Sequence, residues 1–386
     1  VKKNIFILLL GIVAMATCLI YVPVDEGGPP YRDDYYEDPY SAEMDTSYFY
    51  DYLSPHGVWV RHSPYGYVWI PERMAYGWRP YTQGQWAWSD FGWTWASSFS
   101  WGWVPFHYGR WGWERYLGWY WVPGAEWGPA WVSWRSSDLY IGWAPIPPEA
   151  RFVPGVGINT LPYTLHNSSW VFVQYPYFLE NRLYRYVLPM ERNLTIINYS
   201  ALRTDIRIRG DRIINRGVDI DYVRRMTKQT ISRHELAPAD RPGRSRVNEG
   251  RVEIYNPIIK HNESARPKKI VEREEAQGRI TRTTIRGPIE QAETQEKQLK
   301  DAQKQEIKHL EDSQEKELQQ VLRKKQQEES TVKDPTEKQK IKKEYDQKVT
   351  KIKQSHEKEK TEIKKRHKKE EEQTKKKKIK KSEIKK

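Results

Sequence analysis

The residues able to do chemistry are few in type and crowded in place. All 18 Trp lie between Trp59 and Trp170, and seventeen of them between Trp59 and Trp143. Flat rings at a surface suit sugar faces, peptide prolines or lipid headgroup zones, because large exposed apolar patches usually mark binding sites. Trp101, Trp103, His107, Trp111 and Trp119 are the candidates for such a ligand-binding surface. The competing reading is an aromatic core, since each ring can bury on the order of 150–250 Å². So many indoles exceed what a small sheet is expected to hide, so part of the set is assigned to a groove. Glycoside hydrolysis needs two carboxylates across a sugar cleft. The same stretch offers Glu72, Asp90, Glu114, Glu126 and Asp138. Their spacing pairs no two of them, and hydrolysis stays a distant alternative. His56, His62 and His107 form no recognisable ligand set. The sequence has no Gly-rich phosphate loop, Gly-x-Ser-x-Gly elbow, His-Glu-x-x-His motif or paired-Cys signature. The expectation is a non-enzymatic chain with no catalytic residue, no metal and no cofactor.

The elements that hold the Trp are legible from spacing. Gly77-Trp78-Arg79-Pro80-Tyr81 recurs 25 residues later as Gly102-Trp103-Val104-Pro105-Phe106, and Gly84-Gln85-Trp86 as Gly109-Arg110-Trp111. Gly66-Tyr67-Val68-Trp69 recurs 26 later as Gly92-Trp93-Thr94-Trp95, and 26 later again as Gly118-Trp119-Tyr120-Trp121. About three units follow, ending at Gly142-Trp143-Ala144-Pro145. Within a unit the aromatics sit two apart, as in Trp86/Trp88 and Trp93/Trp95, which puts both rings on one face of a strand. Gly and Pro between pairs supply turns. Two short strands per unit predict an antiparallel meander, a Trp-rich repeat sheet or a small barrel.

These residues carry a resemblance. Trp69-Ile70-Pro71, Gly77-Trp78-Arg79-Pro80-Tyr81, Trp101-Gly102-Trp103, Phe106-His107-Tyr108-Gly109-Arg110-Trp111, Trp119-Tyr120-Trp121-Val122-Pro123-Gly124 and Gly142-Trp143-Ala144-Pro145 resemble a family of Trp-rich exported bacterial proteins of unknown function. The likeness covers about residues 52–149 and implies no activity. The Gly-Trp units are also similar to choline-binding and other wall-anchoring repeats, by analogy only, because the period there is shorter.

The N-terminus reads as an export signal. Lys2 and Lys3 precede an uncharged apolar run over residues 5–24. Ala14-Met15-Ala16 fits a cleavage site. Met15-Ala16-Thr17-Cys18 resembles a lipoprotein box, with Cys18 as the lipidation site, although Leu is usual at its first position and Gly or Ala before the Cys. An uncleaved anchor is the third reading, because about twenty apolar residues can span a bilayer. All three place the chain in the periplasm or cell envelope, in two of them attached to a membrane by lipid or anchor. The lone Cys excludes a disulfide framework.

The remaining organisation follows composition. Residues 1–24 are the signal or anchor and 25–51 an acidic, Tyr- and Pro-rich linker. Residues 52–149 are the Trp-rich β domain, 150–260 a small α+β module, 261–287 a linker and 288–386 a charged helical region with a basic tail. In the module, 169–174, 194–199, 206–214 and 251–255 read as strands, with a short helix capped by Asp219 or Asp221 and ending near Lys228. Arg203, Arg207, Arg209, Arg212 and Arg216 could form a basic face.

Beyond Gln291 there are 31 basic and 21 acidic residues, so this third carries +10 of the chain's +14. Leu299, Leu310, Val321 and Val332 are spaced by 11, as are Ile341, Ile352 and Ile363. Eleven residues over three turns leave a nearly straight stripe. Asp334, Pro335 and Glu337 mark a helix restart. The two segments, each about 60–75 Å at 1.5 Å per residue, are open to a hairpin, to pairing with another copy as a homo-oligomer, or to an extended coiled-coil-like arm, the last favoured. Residues 361–386 carry +8, which suits lipid phosphates, lipopolysaccharide or an acidic wall polymer, with peptidoglycan or another anionic envelope polymer as the expected partner of the chain. Nucleic acid is disfavoured, since an exported chain seldom meets it. The expected role is structural or adhesive, with polysaccharide binding through exposed Trp as the alternative.

Overall fold

The structure, a computed structural model, describes residues 44–75, 77–153, 157–159, 165–209, 212–283 and 289–383. Cys18 and the signal-like segment lie outside the described residues. In chain order the first half runs β1 (Met44–Asp45), α1 (Ser47–Leu53), β2 (Gly57–His62), β3 (Gly66–Pro71), β4 (Gly84–Ser89), β5 (Gly92–Ser97), β6 (Arg110–Glu114), β7 (Gly118–Val122), β8 (Val132–Ser136) and β9 (Tyr140–Pro145). Then come β10 (Arg151–Val153), β11 (Gly157–Asn159), β12 (Val171–Gln174), α2 (Asn193–Tyr199), β13 (Ala201–Leu202), β14 (Ile206–Arg209), β15 (Arg212–Asn215) and α3 (Ile220–Thr227). The chain ends with β16 (Glu235–Pro238), β17 (Arg246–Asn248), β18 (Arg251–Ile254), β19 (Ile259–Lys260), α4 (Arg273–Thr283), α5 (Ile289–Thr331) and α6 (Pro335–Glu383).

The N-terminal half is mostly antiparallel sheet around a Trp-rich core. β2/β3, β4/β5, β6/β7 and β8/β9 are hairpins. Their register sets Trp directly opposite Trp: Trp59 faces Trp69, Trp86 faces Trp95, Trp111 faces Trp121 and Trp134 faces Trp143. Opposed rings on one face are the unit of sheet stabilisation. The expected meander of consecutive strands does not form, and among the described residues no sheet closes into a barrel. Instead the first and third hairpins share a sheet in the order β2-β3-β7-β6. The second joins β14 and β15, and the fourth lies between β12 and β13. The physical reason is burial of both sides of a ring pair. Trp86 sits 4.6 Å from Trp134 and 5.5 Å from Trp143, ring to ring across two sheets, which side-by-side hairpins could not provide.

Three segments take secondary structure other than expected. The end of the acidic linker folds: α1 buries Phe49 and Leu53 completely, with Phe49 against Trp103, Tyr108 and Trp121. β1 pairs in parallel with β19, so the body closes on residues 44–45 and 259–260. The segment 194–199 is helix α2 and not a strand. Its β-branched residues lose to tertiary context, because Ile196 is buried and the Asn193 amide at the helix start donates to the carbonyls of Asn167 and Trp170. The expected linker 261–287 also contributes structure. Val271 bridges Val60, and Ala276 of α4 packs with Val58, Val60, Val68 and Ile70 on the outer face of the first sheet. The helix at 219–228 forms as its cap predicts, with Asp219 accepting from Tyr222 N at 2.9 Å.

The two long helices fold back on each other as an antiparallel hairpin, not as one extended arm. Asp334 caps α6 by accepting from Thr336 N at 2.7 Å. Gln314 donates to the His356 carbonyl, Lys325 meets Asp346 at 2.6 Å, and the Tyr345 hydroxyl reaches Glu328 at 2.7 Å. Among the described residues no helix is long and apolar enough to cross a membrane.

Candidate functional site

The five positions expected to line an exposed surface do not form one. Trp101, Trp103, His107 and Trp111 are buried, and Trp119 is half-buried opposite Trp113. Ten of the 18 Trp are essentially fully buried, so the rings serve mainly as core. Stacked sheets offer more interior than the single sheet assumed from sequence, and that is why so many indoles fit. His107 stacks on Trp127 at 5.5 Å and places Nδ1 2.9 Å from the Gly128 carbonyl. Burial pushes its pKa down to about 4, which keeps the ring neutral. The most exposed indole is Trp113, 39% accessible and stacked on His166.

Three carboxylates of the Trp region, Asp90, Glu114 and Asp138, are engaged in separate places. Glu114 pairs with Arg273 at 2.5 Å and lies 3.4 Å from His62. Asp90 pairs with Arg233, and Asp138 lies 3.9 Å from His309 of α5. Among the expected basic face, Arg207 pairs with Asp205, and Arg212 lies over the Phe91 ring. Among the described residues no group of three or more His, Cys, Asp or Glu is placed to hold a metal ion.

The best-built polar constellation is where the helical hairpin meets the body. Arg192, fully buried at the entry to α2, reaches Glu306 of α5 with Nη2 and Glu370 of α6 with Nη1, each at 2.6 Å. It also donates to the Tyr140 hydroxyl at 3.2 Å. Glu306 receives His367 Nε2 at 2.9 Å and the Arg366 guanidinium. Gln303 donates to the His367 carbonyl and to Glu370. Thr195 donates to Glu370, and Gln174 to Gln305. Burial alone would raise the Glu306 pKa, but the His367 hydrogen bond and the Arg192 and Arg366 charges outweigh it and bring it to about 2. Burial likewise opposes the Arg192 charge, and Tyr140, Glu306 and Glu370 hold its pKa above the ordinary value. The result is a clamp in which one guanidinium bridges both helices of the arm.

Beside the clamp runs a groove of about 1060 Å³ between arm and body. Tyr199, Tyr222 and Arg203 line it from the body, and Leu310, Glu359 and Ile363 from the arm. Sequence reasoning missed Arg192, which has no local signal. Its partners did leave one: Leu299, Gln303, Glu306 and Leu310 follow 4-3-4 spacing, so a Gln and a Glu occupy positions where the stripe calls for apolar residues.

Residues 50–150 match a family described as a family of unknown function (DUF6600). That span runs from α1 through all four Trp hairpins and ends before α2, so it contains neither Arg192 nor the arm. No curated protein and no solved structure matches the chain.

Proposed function

We propose that this is a non-enzymatic, exported protein of the cell envelope with a structural or adhesive role. The Trp-rich body is the mount and the helical hairpin is the reaching element. The observation that carries this reading is the clamp. A buried guanidinium is costly unless paired, so Arg192, Glu306 and Glu370 favour one pose of the arm over others. The polar contacts to the body run along α5 from Ala302 to His309. Past the groove, whose lining on α5 runs to Ser313, the arm extends by about 27 Å, at 1.5 Å per residue over residues 314–331. Export rests on the Lys2-Lys3 and apolar-run pattern, and membrane attachment on Cys18 or an uncleaved anchor. Cell fractionation with mass spectrometry of the mature N-terminus tests it. An envelope fraction with a processed or acylated N-terminus is expected, and a cytosolic chain retaining Lys2 and Lys3 refutes the reading.

A second reading, binding of peptidoglycan or a similar wall polymer, is favoured by the groove, where Tyr199 and Tyr222 stand among charges of both signs. Retention of the full chain on insoluble peptidoglycan, with loss on Tyr222→Ala, supports it. Failure to be retained favours scaffolding, and release of soluble muropeptides would instead indicate a hydrolase.

A further inference from the structure

The clamp has a second copy. Gln303 Nε2 donates to the His367 carbonyl at 3.2 Å and to Glu370 Oε2 at 3.0 Å. Eleven residues further out, Gln314 Nε2 donates to the His356 carbonyl at 3.3 Å and to Glu359 Oε2 at 3.1 Å. His367 Nε2 lies 2.9 Å from Glu306, and His356 Nε2 lies 2.7 Å from Glu317. Gln303, Glu306, His367 and Glu370 thus correspond one to one with Gln314, Glu317, His356 and Glu359. Eleven residues make almost three whole turns, so both sets look out from the same side of the hairpin, about 16 Å apart. The difference is what fills them. Arg192 bridges the two carboxylates of the inner set. In the outer set, Glu317 and Glu359 carry only their His356 and Gln314 contacts among the described ion pairs and hydrogen bonds, and Glu359 lines the open groove.

We propose that the outer set is a docking socket for a partner protein, and that it takes an arginine presented by that partner as the inner set takes Arg192. Two carboxylates on adjacent helices, each already oriented by a hydrogen bond, match the two edges of a planar guanidinium. A lysine ammonium is a point charge and cannot bridge them in the same way. The pairing gains strength as the partner excludes water from the groove, because an exposed ion pair alone is weak. The inference rests on the arm's geometry and not on the compartment in which the chain resides.

The test uses the full chain with its His rings labelled at Cε1 and the NMR signals of His356 and His367 assigned. The probe is the capped tripeptide acetyl-Gly-Arg-Gly-amide, with acetyl-Gly-Lys-Gly-amide beside it. The expected result is a saturable shift of His356, at least threefold weaker for the Lys probe, while His367 stays still. Glu317→Gln with Glu359→Gln should weaken the Arg probe at least tenfold. Both carboxylates are on the outside of the hairpin, and an unmoved His367 signal shows that the clamp and fold persist. No saturable shift of His356, equal response to both probes, or an unchanged response in the double variant would each overturn the proposal.

Discussion

Arg192 is one of 65 basic residues, and its weight comes from what it faces. Replacing it with Met removes the guanidinium that bridges the buried Glu306 and Glu370, while Glu306 keeps Arg366 and His367. Removing one partner of a buried pair costs about 3–5 kcal/mol. Urea unfolding of Arg192→Met should show a loss of that size, whereas Arg224→Met, an exposed i,i+3 partner of Asp221, should change stability by about 1 kcal/mol or less. Similar losses in the two variants would remove the clamp from the account. Gly142 makes a different kind of residue argument. A Cβ there would lie 2.2 Å from the Phe172 ring, on the neighbouring strand. The sequence shows Gly142 beside Trp143, and glycine between Trp rings predicts that an indole from an adjacent strand lies over the backbone. The aromatic is Phe172 and not a Trp. Gly142→Ala should lower the melting temperature by several degrees, corresponding to the 1–3 kcal/mol usual for overpacking, and an unchanged melting curve would mean that strand β12 yields freely.

Elements with local chemistry were legible, and elements chosen by distant partners were not. The restart is written in Asp334, Pro335 and Glu337, three residues within four positions, and the cap forms as they predict. Asp334→Ala should cost about 1 kcal/mol of helix stability, seen as faster amide exchange in the first turn of α6 and none near His367. Uniform acceleration along both helices would show that the hairpin opens as one unit. The strands of the Trp region were likewise readable from period two. Their grouping was not, because nothing within a hairpin says whether its neighbour in the sheet comes 25 residues later or 50. The same limit explains α2 and α1. Ile196 and Phe49 are called to their places by cavities built from other parts of the chain, and the flanking β-branched or acidic residues point the other way. The 11-residue stripe located both long helices. It could not choose between a hairpin and an extended arm, since a thin stripe fits either, and the polar residues within it are what the clamp uses.

At the scale of the whole molecule, body and arm answer to acid in a fixed order. Both controlling groups have folded pKa values below their ordinary ones. His107, whose ordinary value is 6.5, is held near 4 by burial among aromatics. Its contribution to stability is complete above pH 6.5 and is lost as pH falls toward 4, because only the unfolded chain accepts the proton in that window. Glu306, ordinarily at 4.5, is held near 2 by His367, Arg192 and Arg366 against the opposing effect of burial. Its contribution is complete above pH 4.5 and fades toward pH 2. Acid therefore weakens the aromatic body first, by up to about 3 kcal/mol for His107 at 1.36 kcal/mol per pKa unit, while Glu306 stays charged. The DUF6600-matching span holds His107 and the clamp lies beyond it, so the two responses can be separated. In a Cys18→Ser background, spin labels at Ser137→Cys and Ser313→Cys, both on the groove, report the arm's pose. Urea unfolding of the same protein reports the body. Between pH 6.5 and 4.5 the unfolding free energy should fall, less steeply in His107→Gln, and the label distance should hold. Below 4.5 the distance distribution should broaden as Glu306 protonates. An arm that swings free near pH 6 while the body keeps its full stability would reverse the order, and would mean that something other than Glu306 holds the two parts together.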